Sequence, residues 1–339
     1  MPIASAAEYK AALDRALKDG YALAAVNVTS SQTLNAAIRG FAEAGADGIV
    51  QITTSGALYA SGSAEDMALG ARAIAEYAHV AAQRAPVLIA LHTDHCRAEH
   101  LDELVRPLLA ESLKRRDRGE SPLFHSHMFD GSNLPLEENL RIASELLEDC
   151  RAADVLLEIE IGVVGGEEDG IVGGGPSERL YTTPADALAV AEALGTGERG
   201  RYLLAATFGN VHGHYAPGHV QLRPALLGEL QEAAADRYGG ARFQFVFHGG
   251  SGSTAAEISE AVSHGVVKMN VDTDAQYAFT RAAAGHMFEN YSGVLKVDGV
   301  GDKRAYDPRS WGRKAESAMA DRVAEACRQL GSAGRSLAA

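Results

Sequence analysis

A closed parallel barrel of eight strands, each followed by a helix, is the fold class this sequence predicts, and three observations predict it. Eight short apolar runs recur along all 339 residues. Ala/Leu/Glu-rich stretches with helical spacing separate most of them, and residues able to titrate, bind metal or hold an anion collect just after the runs. Runs that are apolar nearly throughout suit strands covered on both faces, as in α/β folds with parallel sheets. The C-terminal rim is where a (β/α)8 barrel carries its chemistry. An open doubly wound sheet is the competing arrangement, but no GxGxxG follows the first strand, where "VNVTSSQTLN" stands instead. The expectation is one domain over residues 1–339, α/β in class, with extra C-terminal helices, because barrels of this kind use whole chains of about this length.

Taken in order, "MPIASAAEYKAALDRALKDG" (1–20) has scattered charges and no signal-peptide core, so it reads as an amphipathic helix closed by Gly20. Strands follow at "ALAAVNV" (22–28), "GIVQIT" (48–53), "VLIALHT" (87–93), "LFHSHMF" (123–129), "VLLEIEI" (155–161), "YLLAATF" (202–208), "FQFVFH" (243–248) and "VVKMNV" (266–271). Helices are expected in "SQTLNAAIRGFAEAGA", "AEDMALGARAIAEYAHVAAQ", "LEENLRIASELLEDCRAA" and "PADALAVAEALG", the last opened by a favourable early proline. Residues 300–339 form a C-terminal extension, and its tail "GSAGRSLAA", small and polar, is expected to fray.

The bulk numbers bound the function. A hydrophobic content of 46% with 22% charged residues suits a globular protein with a sizeable core. Against 31 Lys and Arg stand 45 Asp and Glu, a net charge of −14, which argues against nucleic-acid and anionic-membrane partners. Cys96, Cys150 and Cys327 are odd in number and form no CxxC, so neither a disulfide framework nor a zinc-thiolate site is suggested and a cytoplasmic location is expected. No run reaches the roughly 20 apolar residues of a membrane-spanning helix.

The chemistry-bearing residues fall at the strand ends. Strand three ends in His92, Asp94 and His95, strand five in Glu158 and Glu160, strand six in "FGNVHGHY" with His212 and His214, strand seven in "FHGGSGS" with His248, and strand eight in "NVDTD". His95, His212 and His248 at corresponding rim positions offer three imidazoles and an open fourth place, the pattern of a catalytic zinc. His125, His127, His214 and His219 compete for that role, with polar packing or exposure as the plainer reading. Alternation along a strand separates Asp94 from His95, so the two converge only if strand three is already turning there.

The glycine-rich stretch 165–175, with Glu167, Glu168 and Asp169, is either a solvated acidic loop or a lid that carries a general base inward on closure; its place in the chain favours the lid. "HGGSGS" (248–253) and "NVDTD" (270–274) follow strands seven and eight, where barrels often hold phosphate on backbone N–H groups.

"LHTDHC", "EIEIGVVGGEEDG", "FGNVHG", "FHGGSGS", "VVKMNVDTD" and "YDPRSW", in this order and over nearly the whole chain, closely resemble class II (zinc-dependent) fructose-bisphosphate aldolases of the long actinobacterial type. The resemblance implies a single TIM barrel that reversibly cleaves fructose 1,6-bisphosphate into dihydroxyacetone phosphate and glyceraldehyde 3-phosphate by way of a zinc-stabilised enediolate. By motif it makes His95, His212 and His248 the zinc ligands, Asp94 the acid/base at the bond made or broken, and Glu168 the group that moves the proton on the dihydroxyacetone phosphate carbon. Glu160 matches a carboxylate near an alternative metal position, and Glu167 stands beside the base. Gly213, Gly249, Ser251, Asp272 and Thr273 match the triose-phosphate cradle, and Asn270 matches a contact to the reacting oxygens. Arg309, assisted by Lys303, matches the grip on the second phosphate from a neighbouring subunit, which implies a homodimer or homotetramer. Asn27, Gln51 and Thr53 fall at substrate-lining places, and a monovalent cation (Na+ or K+) is usual near the cradle.

This chain departs from the family pattern at "HYAPGH" (214–219), where Ala216 replaces a lysine and His214 and His219 are added, and at Thr53, where serine is frequent. Three rival readings remain at this level: a tagatose-bisphosphate aldolase, a zinc hydrolase on the same barrel, and a sugar-phosphate binder without catalysis. The phosphate cradle with Arg309 speaks against the hydrolase, and the retained Asp94, Glu168 and three histidines speak against the binder.

Overall fold

The computed structural model describes residues 3–168, 171–173, 180–212, 222–250, 252–297 and 299–338, with Gly165–Glu168, Ile171–Gly173 and His212 described as backbone only. Along the chain run α1 (Ala6–Asp19), β1 (Leu23–Asn27), α2 (Ser31–Ala44), β2 (Gly48–Thr53), α3 (Thr54–Ala60), α4 (Met67–Ala81), β3 (Ile89–Arg97), α5 (Val105–Asp117), β4 (Ser126–Asp130), α6 (Leu136–Ala153) and β5 (Leu156–Ile161). Then follow β6 (Gly165–Glu168), β7 (Ile171–Gly173), α7 (Pro184–Leu194), β8 (Tyr202–Ala206), β9 (Val211–His212), α8 (Ala225–Arg237), β10 (Phe245–Phe247), α9 (Ala255–Ser263) and β11 (Val266–Val271). The chain closes with α10 (Thr273–Glu289), α11 (Tyr291–Leu295), α12 (Lys303–Tyr306) and α13 (Pro308–Gln329).

Eight strands close a parallel barrel in the order β1-β11-β10-β8-β5-β4-β3-β2, a TIM barrel, and each corresponds to one of the eight apolar runs. Helix starts follow their local chemistry. Ser5, Ser30, Thr183 and Thr254 cap α1, α2, α7 and α9 with reciprocal side-chain and backbone bonds, and Gly20 closes α1 at φ +68°. Among the described residues no helix is long and apolar enough to cross a membrane.

The core has two shells. Outward strand residues such as Val26, Val50, Leu91, Ile159 and Phe247 pack under the surrounding helices. Inside the barrel, Leu23, Ile49, Leu156, Leu203 and Val246 form a second cluster with Tyr9 and Leu13, so α1 plugs the end of the barrel where the strands begin. Further up the same inward-facing rows, period-2 alternation brings polar residues: His92, Ser126, Glu158 and Lys268, all fully buried, and then Asn27, Gln51, Asp94 and Asn270. The interior changes from apolar at the plugged end to polar at the rim.

Helix α3 crosses α4 closely at Gly70, where an added Cβ would lie 1.9 Å from the carbonyl oxygen of Ala57. A backbone atom cannot step aside as a side chain can, so Gly70→Ala is expected to cost about 1–3 kcal/mol. A lower urea midpoint at unchanged slope is the readout; an unchanged midpoint would show that the crossing has slack.

The C-terminal tail differs from expectation. Gly334 and Ser336 donate backbone N–H groups to the carbonyls of Ala44 and Gly45, and Asp47 accepts from the Ser336 hydroxyl and the Leu337 N–H. Leu337 also packs on the inner cluster. A small polar composition does not reveal such tethering, because the partners, two backbone carbonyls and the Asp47 carboxylate, lie more than 280 residues earlier in the chain.

Candidate active site

Strand β3 solves the geometric difficulty at Asp94 and His95 by a bulge. It runs on to Arg97, and its pairing with β4 slips between Thr93, opposite His127, and Cys96, opposite Phe129. His95 sits in the slip with φ +44°, an unusual conformation for a residue with a Cβ. The extra residue re-aims the strand, so Asp94 and His95, which regular alternation would send to opposite faces, both contribute to one cluster with His248.

Two imidazoles face each other there. His95 Nε2 lies 2.9 Å from His248 Nδ1, with the rings edge to face. Each has a carboxylate behind it: Asp130 Oδ2 lies 3.2 Å from His95 Nδ1, and Glu158 Oε1 lies 2.8 Å from His248 Nε2. A carboxylate accepts the ring hydrogen and turns the other nitrogen's lone pair forward. Two forward lone pairs at this separation repel each other unless a cation lies against both, so the donor set and its backing fit a divalent metal.

Asp94 is fully buried and held by three side-chain amides. Asn27 Nδ2 and Gln51 Nε2 each donate to Oδ2 at 3.0 Å, and Asn270 Nδ2 donates to Oδ1 at 3.1 Å. Gln51 also donates to Asn27 Oδ1 at 2.6 Å. Asn27 and Gln51, expected as substrate-lining residues, thus support the carboxylate. Thr53 is buried as the cap of α3, accepting the Gly56 N–H and bonding Ser55. Glu160 Oε2 lies 3.7 Å from His95 Nδ1, and with Asp130 it makes a second group of ligand atoms around that ring.

Beneath the cluster, burial alone would raise the Glu158 carboxyl, but the Lys268 ammonium 2.9 Å away holds it well below the usual carboxylate range. His92 hydrogen-bonds the Ser126 hydroxyl at 2.8 Å, and burial pushes its pKa down to about 3. It is a packing residue below the site, and Cys96 is a buried free thiol.

The competing histidines at and just before β4 are structural. His125 accepts the Leu91 N–H on Nδ1 and donates from Nε2 to the Ala4 carbonyl, which pins the segment before α1 to the barrel. His127 pairs with Thr93. His214 and His219, with Ala216, lie outside the described residues, as do Gly213, Ser251 and Asp169.

Around the rim, β6 and β7 pair as an antiparallel hairpin with Glu168 opposite Ile171, and β6 runs parallel to β9 with Gly166 opposite His212. The stretch expected as a lid, or else a solvated acidic loop, is in its described part a small sheet joined through its backbone to the segment of His212. Asn210 accepts the Phe208 N–H and donates to the His248 carbonyl, which ties this segment to the end of β10. Gly249, at φ +61°, comes so close to Val211 that a Cβ would lie 2.7 Å from its carbonyl carbon and oxygen. Asp272 and Thr273 open the 17-residue α10, whose N-terminus has no side-chain cap.

Arg309 and Lys303 are not brought to this cluster within the chain. Arg309 pairs with Asp307 at the exposed start of α13, and Lys303 opens α12. Sequence reasoning passed over Asp130 and Lys268. Asp130 follows strand four as the other rim residues follow their strands, and a lone lysine inside "VVKMNV" was the signal for the second.

A model of the class-II fructose-bisphosphate aldolase family matches residues 7–335. A fructose-bisphosphate aldolase of Streptomyces galbus is 61% identical over 340 residues, covering 99% of this chain and 100% of that protein. One of Mycobacterium leprae (strain TN) is 58% identical over 345 residues, covering 100% of each. Among solved structures, fructose-bisphosphate aldolase from Campylobacter jejuni is similar with a TM-score of 0.85 at 34% identity, covering 98% of this chain and 97% of that one.

Proposed function

The chain belongs to the class II fructose-bisphosphate aldolase family, a family of metal-dependent lyases, and from that premise we propose how its own residues share the cleavage of fructose 1,6-bisphosphate into dihydroxyacetone phosphate and glyceraldehyde 3-phosphate. The observation that carries the proposal is the facing pair His95 and His248, each backed by a carboxylate and both beside Asp94 at the rim. Neither tagatose-bisphosphate cleavage nor zinc-dependent hydrolysis is favoured, since these relatives are named fructose-bisphosphate aldolases.

His95, His212 and His248 hold the metal, which we take to be zinc because three neutral imidazoles with an open place suit it. Bound there, the cation supplies the positive charge that stabilises the anion left when a proton leaves the carbon beside a ketone. Glu168 moves that proton. Asp94 gives or takes the proton at the oxygen of the bond made or broken, and its three amide partners hold one carboxylate orientation for the transfer. Glu160, with Asp130, lines an alternative metal position beside His95.

Asn270 reaches the reacting oxygens from beside Asp94. Gly213, Gly249, Ser251, Asp272 and Thr273 cradle the triose phosphate, with the uncapped N-terminus of α10 favouring an anion and Na+ or K+ as its companion. Thr53 completes the rim near Asn27 and Gln51. Arg309 and Lys303 grip the second phosphate of a neighbouring subunit in a homodimer or homotetramer. Their exposed position, and the exposed Phe288, Tyr291, Leu295 and Val300 on and after α10, support that assignment. Three buried free thiols suit a reducing cytoplasm.

Exhaustive chelation is expected to abolish cleavage of fructose 1,6-bisphosphate in a coupled assay, and added zinc to restore it. Activity that survives complete metal removal would overturn the metal assignment. Faster turnover of tagatose 1,6-bisphosphate in the same assay would overturn the substrate.

A further inference from the structure

Lys268 has no part in the division of labour above, yet it lies fully buried beside Glu158, the carboxylate behind His248. Lys268 Nζ lies 3.1 Å from Glu158 Oε1, 2.9 Å from Oε2 and 2.8 Å from Asn270 Oδ1. Stability alone does not account for the pair, because two buried charges seldom outperform apolar residues of the same size.

Hydrogen-bond direction does account for it. An ammonium only donates and a carboxylate only accepts. Asn270 must therefore turn its oxygen to Lys268, which sends its NH2 toward Asp94 at 3.1 Å and His248 Nδ1 at 3.2 Å. Glu158 has no hydrogen to give, so His248 must carry its hydrogen on Nε2, 2.8 Å away, and its lone pair on Nδ1. Nδ1 is the atom that faces His95. The orientation of the amide and the tautomer of the ring both trace to one buried cation.

We propose that Lys268 is a two-armed positioning residue: through Glu158 it sets His248 for metal binding, and through Asn270 it turns an amide NH2 toward Asp94. The proposal rests on the assignment of His248 as a ligand.

Zinc affinity, measured by chelator competition, and the visible spectrum of the cobalt-substituted protein test it. Lys268→Met is expected to weaken zinc binding by about 10- to 100-fold, the usual loss when an outer partner of a ligand is removed, and to change the cobalt bands of the folded protein. Glu158→Gln is expected to do the same, because the new amide would turn its oxygen to Lys268 and its NH2 to His248 Nε2, forcing the ring hydrogen onto Nδ1. Combining the two is expected to weaken zinc binding little beyond Glu158→Gln, since both act on one path. Lys268→Arg is expected to recover part of the loss.

A purely structural role would lower the melting temperature and leave affinity and spectrum alone. Folded Lys268→Met and Glu158→Gln proteins with parental zinc affinity and cobalt spectrum would overturn the proposal. If Lys268→Met does not fold, Glu158→Gln decides by the same readouts. If neither folds, the Lys268→Met/Glu158→Leu protein, which removes both charges together, decides. His248→Ala separates the two levels: parental zinc affinity there defeats the ligand assignment itself, whereas lost affinity there with unaltered Lys268→Met and Glu158→Gln proteins defeats only the positioning role.

Discussion

Asp94→Asn is expected to lower kcat by about 10²- to 10⁴-fold, the usual worth of a positioned acid or base, while the protein keeps its zinc. The expectation follows from the surroundings of the carboxylate. Asn27, Gln51 and Asn270 all donate to it, so its oxygens are held by neutral amides at the edge of the metal cluster. The asparagine variant keeps the volume and one acceptor but cannot give or take the proton. Metal content by elemental analysis, read beside kcat, separates this role from ligation: an Asp94→Asn protein that loses zinc in step with activity would make Asp94 a ligand, and one with full activity would remove it from the mechanism.

Acid is expected to destabilise the fold well before the carboxylates protonate. Burial holds the pKa of His125 down to about 4 and that of His127 to about 3, against an ordinary value near 6.5. Such groups stay neutral in the folded chain and take a proton when it unfolds. Their contribution is therefore complete above pH 6.5 and is lost as pH falls from there toward pH 4 and pH 3. Together they cost roughly 2–3 kcal/mol between pH 7 and pH 5.5, at about 1.4 kcal/mol per histidine per pH unit. Urea midpoints of the chelated protein at pH 7.5, 6.5 and 5.5 measure this without any contribution from metal release. His125→Gln is expected to flatten the slope by about a third, since buried His92, held down to about 3, adds a like share beside these two, and a parental midpoint independent of pH over this range would contradict the burial argument.

The physical reasons for what could be read from the chain are local. All eight strands, and the five helices α1, α2, α4, α6 and α7, lie where the apolar runs and helical spacing put them, because burial on both faces of a strand and on one stripe of a helix is written into adjacent residues. Candidate residues were legible for the same reason. In a barrel whose strands all point one way, a residue at a run's end is at the rim, so His95, Asp94, Glu160, His248 and Asn270 could be gathered without coordinates. The pairing of β6 with β9 and the tethered tail were not legible, since both depend on partners distant in the chain.

What the sequence by itself determined is the barrel, the family and the place of Asp94, His95, Glu160, His248 and Asn270 at its open end. What only the tertiary structure decided is how those groups face one another. The bulge at His95, with its positive φ, lets neighbours in the chain serve one cluster. Asp130 and Glu158 stand behind the two imidazoles, three amides converge on Asp94, and Lys268 lies beneath them. A hydrogen bond has a direction as well as partners, and its direction depends on contacts across the barrel between strands far apart in the chain. Residue types along the chain name the donors and acceptors; closure of the barrel decides which of them meet.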